Sequence, residues 1–197
     1  SIKIEKVVAG RQWNNIDVWA LINEKYFLVI EDKKGTSEHS NQLKRYAELS
    51  KKHYEKKDIE VILVYFKMEE QSNFNIIKES GYKVFTRQMM LDILNDYYVN
   101  VPQNAQNDIL TDYYENIRSL DMRVNSYITL PLSKWDWYSW QGFYSVLSKY
   151  INGNWNYVPN RAGGFLGFWW HHKRIKNDIF DIEFYLQLEQ NKLTFKL

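Results

Sequence analysis

Cysteine is absent from this chain. That excludes a disulfide framework and any thiolate metal site. There is also no long apolar run, so no membrane span is read. The segment Ser1-Ile2-Lys3-Ile4 lacks the charged-then-apolar pattern of a signal peptide. Internal repeats and low-complexity linkers are missing as well. Together these absences lead to the expectation of a cytoplasmic protein. Charge of one sign is scarce too: 26 Lys+Arg against 24 Asp+Glu leave a net charge of +2. A dedicated, non-specific nucleic-acid coat is usually more basic. An enzyme that places acidic metal ligands beside basic contacts need not be.

What is present fits an ordinary globular chain with one bias. The 197 residues suit one domain, or one domain with a sizeable extension, and a real core. Aromatics reach 17%, with 8 Trp and 15 Tyr, so large rings are expected to fill much of that core. Residues 2–8 alternate like a strand. Residues 16–22 and 26–32 are nearly continuous in Ile, Val, Leu, Phe, Tyr and Trp, which reads as two strands buried on both faces. Asn23-Glu24-Lys25 between them is a tight connection, so a hairpin is expected. Gly35-Thr36-Ser37 reads as a polar loop, with Ser37 or Ser40 as a helix cap. A helix follows over 40–56, with Leu43, Tyr46, Ala47 and Tyr54 at helical spacing. Residues 60–66 form the clearest strand, 82–86 a shorter one, and 87–98 another helix. Beyond Pro102, helices are expected over 105–120 and 134–151. A turn and strand follow at 163–170, then a hairpin around Gln190-Asn191. Residues 1–100 are thus expected to form a core and 101–197 an aromatic α+β extension, packed as one domain.

The first hairpin carries the chemistry. Side chains alternate along a strand, so Glu31 and Lys33 share a face and Asp32 points away. A three-residue turn puts Ile22 opposite Tyr26 and, counting down both strands, Asp17 opposite Glu31. Directly opposed residues have β-carbons about 5 Å apart. A two-residue turn would shift that register by one. Two carboxylates so close repel unless something intervenes, and a charge inside an apolar hairpin needs a partner. A divalent cation answers both needs. Mg²⁺ takes oxygen ligands, commonly one or two carboxylates with water and phosphate completing the set. Asp17 and Glu31, with the Asp32 backbone carbonyl, are the candidate metal ligands. Lys33 is placed to orient a water or to stabilise charge on a phosphate. The blander reading is a strand with an ordinary Glu-x-Lys and a turn aspartate.

The pattern resembles the PD-(D/E)XK nuclease superfamily. The resemblance rests on Ile16-Asp17, then Ile30-Glu31-Asp32-Lys33, then Gln42-Leu43-Lys44-Arg45-Tyr46 and the strand Val61-Ile62-Leu63-Val64-Tyr65. The Q-x-x-x-Y spacing after the lysine is similar to the extra motif of the RecB-like branch. Bacterial families with the form I-D, I-E-x-K, Q-L-x-x-Y look alike over the same stretch. The closing G-G-F, Y-L-Q-L-E and L-T-F-K are similar with lower specificity. The core of the resemblance covers residues 11–90.

The resemblance implies an α/β fold with a restriction-endonuclease-like αβββαβ core and a mixed central sheet, followed here by the aromatic-rich α+β extension. It implies a bacterial, Mg²⁺- or Mn²⁺-dependent nuclease, a hydrolase cutting DNA phosphodiester bonds. Asp17 and Glu31 would hold the metal, Lys33 would be the catalytic lysine, and Gln42 and Tyr46 would support them from one helix face. It also implies a helix before the first strand, often with a glutamate facing the site. Residues 1–8 read as strand instead, and Glu5 is a poor substitute by position. The alternatives are a catalytically inactive nuclease-fold module that binds nucleic acid or a protein, and an interaction protein whose aromatic extension docks a partner. Oligomeric state stays open.

Other residues carry less. His171 and His172 are adjacent in an expected strand, so they face opposite ways and read as surface or structural. With Lys173, Arg174 and Lys176 they form a small basic patch suited to phosphate. Lys44 and Arg45, beside the motif, are further candidate DNA contacts. Trp135, Trp137, Trp140, Phe143 and Tyr144 read as a helix packed on a sheet rather than as base-stacking rings. Gly163-Gly164 and Gly167 do not form a phosphate loop, because no Lys-Ser/Thr follows.

Overall fold

A computed structural model describes residues 2–35, 41–161, 163–190 and 192–197. The chain divides into two compact units, Ser1–Glu69 with Phe74–Leu110, and Glu70–Asn73 with Thr111–Leu197. Both are mixtures of helix and sheet.

The first unit is built on five strands in the order β1-β2-β3-β4-β5. They are β1 (Val7–Trp13), β2 (Ile16–Ile22), β3 (Tyr26–Lys33), β4 (Glu60–Lys67) and β5 (Lys83–Thr86). The first three pair antiparallel, and β3-β4 and β4-β5 pair parallel, so the sheet is mixed. Helix α1 (Gln42–Tyr54) connects the parallel pair β3 and β4, and α2 (Asn75–Glu79) precedes β5. Helix α3 (Arg87–Asn100) follows β5 directly, with Thr86 as N-cap. The expected strand at residues 2–8 begins only at Val7 and runs on to Trp13. Asn14 and Asn15 take φ of 50° and 67°, which closes Trp13 onto Ile16 in a tight hairpin.

The turn at 23–25 sets the register of β2 on β3. Asn23 and Glu24 adopt φ of 50° and 54°, and Lys25 N donates to the Ile22 carbonyl at 3.0 Å. Ile22 therefore opposes Tyr26, and the pairing runs to Val18 opposite Ile30. Strand β3 was expected to be buried on both faces. One face is fully buried, through Phe27, Val29 and Glu31, and the other is partly covered at Leu28 and Ile30. Leu43, Tyr46 and Ala47 of α1 cover that buried face in one core cluster with Phe27, Val29, Leu63, Tyr65 and Tyr82. Asn41 precedes α1 without a side-chain cap, and the expected caps Ser37 and Ser40 lie outside the described residues.

The second unit holds an antiparallel sheet in the order β6-β7-β8-β9, formed by Gly153–Val158, Phe165–Lys176, Asp181–Glu189 and Lys192–Lys196. Strand β6 had no counterpart in the sequence reading. The hairpin expected around Gln190-Asn191 falls at β8-β9, where Glu189 pairs with Lys192; Asn191 itself lies outside the described residues. Helix α5 (Trp137–Tyr150) starts at Asp136, whose side chain closes a capping box with Ser139. Trp140 and Tyr144 are buried with Trp155, Leu166 and Phe168, and Trp135 and Phe143 pack on them, so most of the tryptophan-rich helix is core. Trp137 remains exposed. Gly142 permits close approach to the end of α4 (Asp108–Val124), because a β-carbon there would sit 2.0 Å from the Val124 carbonyl oxygen.

Candidate active site

The alternation that buries Phe27 and Val29 carries Glu31 into the same apolar face, where it is 0% exposed. A carboxylate at a core position is the central feature of this sheet. Asp17 lies one step beyond the last β2-β3 rung and turns its Oδ2 to accept from the Asp32 amide at 3.2 Å. That contact anchors Asp17 beside the strand segment that bears Glu31. The two carboxyls interact: burial raises Glu31 above the usual carboxylate range, Lys33 opposes the rise, and Asp17 adds to it. Asp32, pointing away, is also raised, first by partial desolvation and then by Asp17, with Lys33 and Lys67 opposing.

Lys33 Nζ lies 2.6 Å from Glu31 Oε1. That close ion pair satisfies Oε1, while Oε2 is buried without a hydrogen-bond partner. The same ammonium donates to Gln42 Oε1 at 3.4 Å, and Gln42 Nε2 donates to Tyr46 Oη at 3.0 Å. Glu31, Lys33, Gln42 and Tyr46 thus form one connected row from β3 to α1. Lys44 and Arg45 are exposed on the same helix, the Arg45 guanidinium lying 5.4 Å from the Tyr46 ring centre.

Three neighbours went unread in the sequence. Lys67, the rung partner of Lys33 at the end of β4, is buried and donates to the Lys34 carbonyl at 2.9 Å. Burial lowers its ammonium pKa, with Glu69 opposing. Arg87, buried at the start of α3, donates to the Met68 carbonyl at 2.7 Å and so fixes the chain just past β4. Tyr82 is buried with its hydroxyl unpartnered, and the shift of its pKa is upward, caused by burial and then by Glu31 and Tyr46. The one available signal for Lys67 was its place at the end of the apolar run of β4.

The basic patch of the second unit is differently disposed. His171 sits at a bulge with φ of 56°, where the β7-β8 register shifts. His172 stacks on Tyr185 and lies 3.1 Å from Glu183. Arg174 is held by Asp181, while Lys173 is exposed.

Chemically, two interacting carboxylates, one of them buried, form a donor set suited to a hard divalent cation. Among the described residues no group of three His, Asp or Glu side chains is arranged to hold a metal. Residues 1–115 match the family model of the PD-(D/E)XK nuclease superfamily, and the chain belongs to that superfamily. Its members typically use divalent metals. No curated protein and no solved structure matches the chain. No helix among the described residues is long and apolar enough to cross a membrane.

Proposed function

We propose that this protein is a metal-dependent nuclease that hydrolyses DNA phosphodiester bonds. The observation that carries the reading is Glu31: a fully buried carboxyl beside Asp17, with Lys33 2.6 Å from Oε1 and Oε2 without a hydrogen-bond partner. Such a group is costly to the fold and is worth keeping only for a cation or a reaction. The order β1-β2-β3-α1-β4 supports the βββαβ part of a restriction-endonuclease-like core, while residues 2–6, where the resemblance implied a helix, are not helical.

In this reading Asp17, Glu31 and the Asp32 backbone carbonyl would hold Mg²⁺ or Mn²⁺, which would supply polarisation of the phosphodiester and a more acidic bound water. Lys33, paired with Glu31 here, would turn its ammonium to the attacking water or to charge growing on the phosphate. Gln42 holds Lys33 from the far side, and Tyr46 fixes Gln42. Lys44 and Arg45, next to the site on α1, meet the DNA backbone, and Lys173 and Arg174 are secondary phosphate contacts.

The test compares wild type with Asp17→Ala and Lys33→Ala on plasmid and single-stranded DNA, with Mg²⁺, with Mn²⁺ and with chelator. Cleavage is expected only with metal, and each substitution is expected to lower it by about 100-fold or more. Metal-dependent cleavage that survives both substitutions overturns the proposal.

A further inference from the structure

Strand register places a further group on the Glu31 face. Glu31 opposes Tyr65 across β3-β4, and Tyr65 opposes Val84 across β4-β5. Tyr82 lies two residues before Val84, so alternation returns it to that same face. Its backbone is fixed there, because Tyr82 N donates to the Ile77 carbonyl at 3.2 Å. Its ring is 3% exposed in the cluster that holds Val29, Tyr46 and Tyr65. The hydroxyl ends in that cluster with no hydrogen-bond partner, and Glu31 Oε2 has none either, while Oε1 meets Lys33. One group is a donor and the other an acceptor, both are sealed from water, and the charge on Glu31 is felt at the phenol. Gln42 donates to the oxygen of Tyr46, another phenol of the cluster, and ties it to the lysine side of the row.

Resting on the nuclease reading above, we propose that Tyr82 is a positioning residue for the metal site, whose hydroxyl donates to the inner oxygen of Glu31 and leaves the other oxygen for the cation. A carboxylate whose other oxygen accepts a hydrogen bond presents one defined oxygen, and loses less freedom when it coordinates. In the metal-free protein Lys33 draws Glu31 toward itself, and the tyrosine hydrogen bond stays open. Once a cation replaces Lys33 at Glu31, the bond to Tyr82 closes.

Mn²⁺ titration by calorimetry, at one pH, tests this on wild type, Tyr82→Phe and Glu31→Gln, with a thermal melt of each metal-free protein. Tyr82→Phe keeps the ring and removes only an unpartnered hydroxyl. Its metal-free midpoint is expected to equal or exceed that of wild type, while its Mn²⁺ affinity falls about tenfold. A merely structural tyrosine would not give that combination. On DNA, kcat is expected to fall with KM unchanged. Tyr82→Phe binding Mn²⁺ within twofold of wild type overturns the role of Tyr82 and leaves the nuclease reading standing. Wild type that binds no Mn²⁺, or Glu31→Gln that binds as wild type does, overturns the metal site itself and this inference with it.

Discussion

Glu31 sets the chemistry and also loads the fold. Its carboxyl is raised by burial, so the folded chain holds this proton more tightly than the unfolded chain, whose glutamates titrate near about 4.3. Between those two values the native state binds more protons than the unfolded state, and stability falls as pH rises through the folded pKa. The contribution is fully present below the unfolded value and lost above the folded one. Glu31→Gln keeps the shape and removes the titration. The mutant is therefore expected to gain on wild type as pH rises through that window, by about 1 kcal/mol in the absence of metal. Denaturant melts of both proteins from mildly acidic to neutral pH check this, and a pH-independent difference contradicts it. The pair Asp17 and Glu31 was legible in the sequence because an acid inside an apolar hairpin is conspicuous. Tyr82 and Lys67 were not, because an aromatic opening a short strand and a lysine closing an apolar one look ordinary until the parallel pairings set β5 on β4 and Lys67 opposite Lys33.

At the scale of elements, the site depends on a turn. The register that opposes Ile22 to Tyr26 follows from three residues between them, two with positive φ. Asn23 does more than turn the chain. Its Oδ1 accepts from Glu5 N at 2.8 Å and Lys6 N at 3.0 Å, and its Nδ2 donates to the Lys3 carbonyl at 2.7 Å. One side chain thus ties the segment leading into β1 to the β2-β3 turn. Asn23→Ala loses those bonds and also puts an alanine at φ of 50°. A loss of about 2 kcal/mol is expected. Asn23→Gly tolerates the dihedral and loses only the bonds, so about 1 kcal/mol is expected. Equal midpoints for the two variants in a thermal melt would show that the dihedral carries no strain. The hairpin, α1 with its Gln42-Tyr46 face, and β4 were readable from apolar runs and spacing. Strand β1 was misplaced because its continuation, Ala9-Gly10-Arg11-Gln12, has no apolar alternation, and the Asn14-Asn15 turn that closes it was passed over. Strand β6 was missed because Asn154 and Asn156 interrupt its apolar character, and its pairing with β7 supplies what local propensity does not.

Over the whole molecule, the family match and the architecture nearly coincide. The match ends at residue 115, within two turns of helix of the boundary at Leu110. Asp17, Glu31, Lys33, Gln42, Tyr46, Lys67 and Tyr82 all belong to the first unit, which has its own core, and the second unit has another built on Trp140, Tyr144 and Phe168. A ligand that binds only the assembled site stabilises the states in which Asp17 and Glu31 stay together. At a free concentration of 100 times its Kd that stabilisation is about 2.7 kcal/mol, enough to slow exchange roughly 100-fold for amides that open with the site. Hydrogen exchange with and without Mn²⁺ is therefore expected to show slowing in β2, β3, α1 and β4, with amides of β6 to β9 unchanged. Glu31→Gln removes the metal's donor and is expected to abolish the slowing. Slowing confined to β7 and β8, near Lys173 and Arg174, would instead place the cation in the second unit and contradict the assignment of the site to the first hairpin.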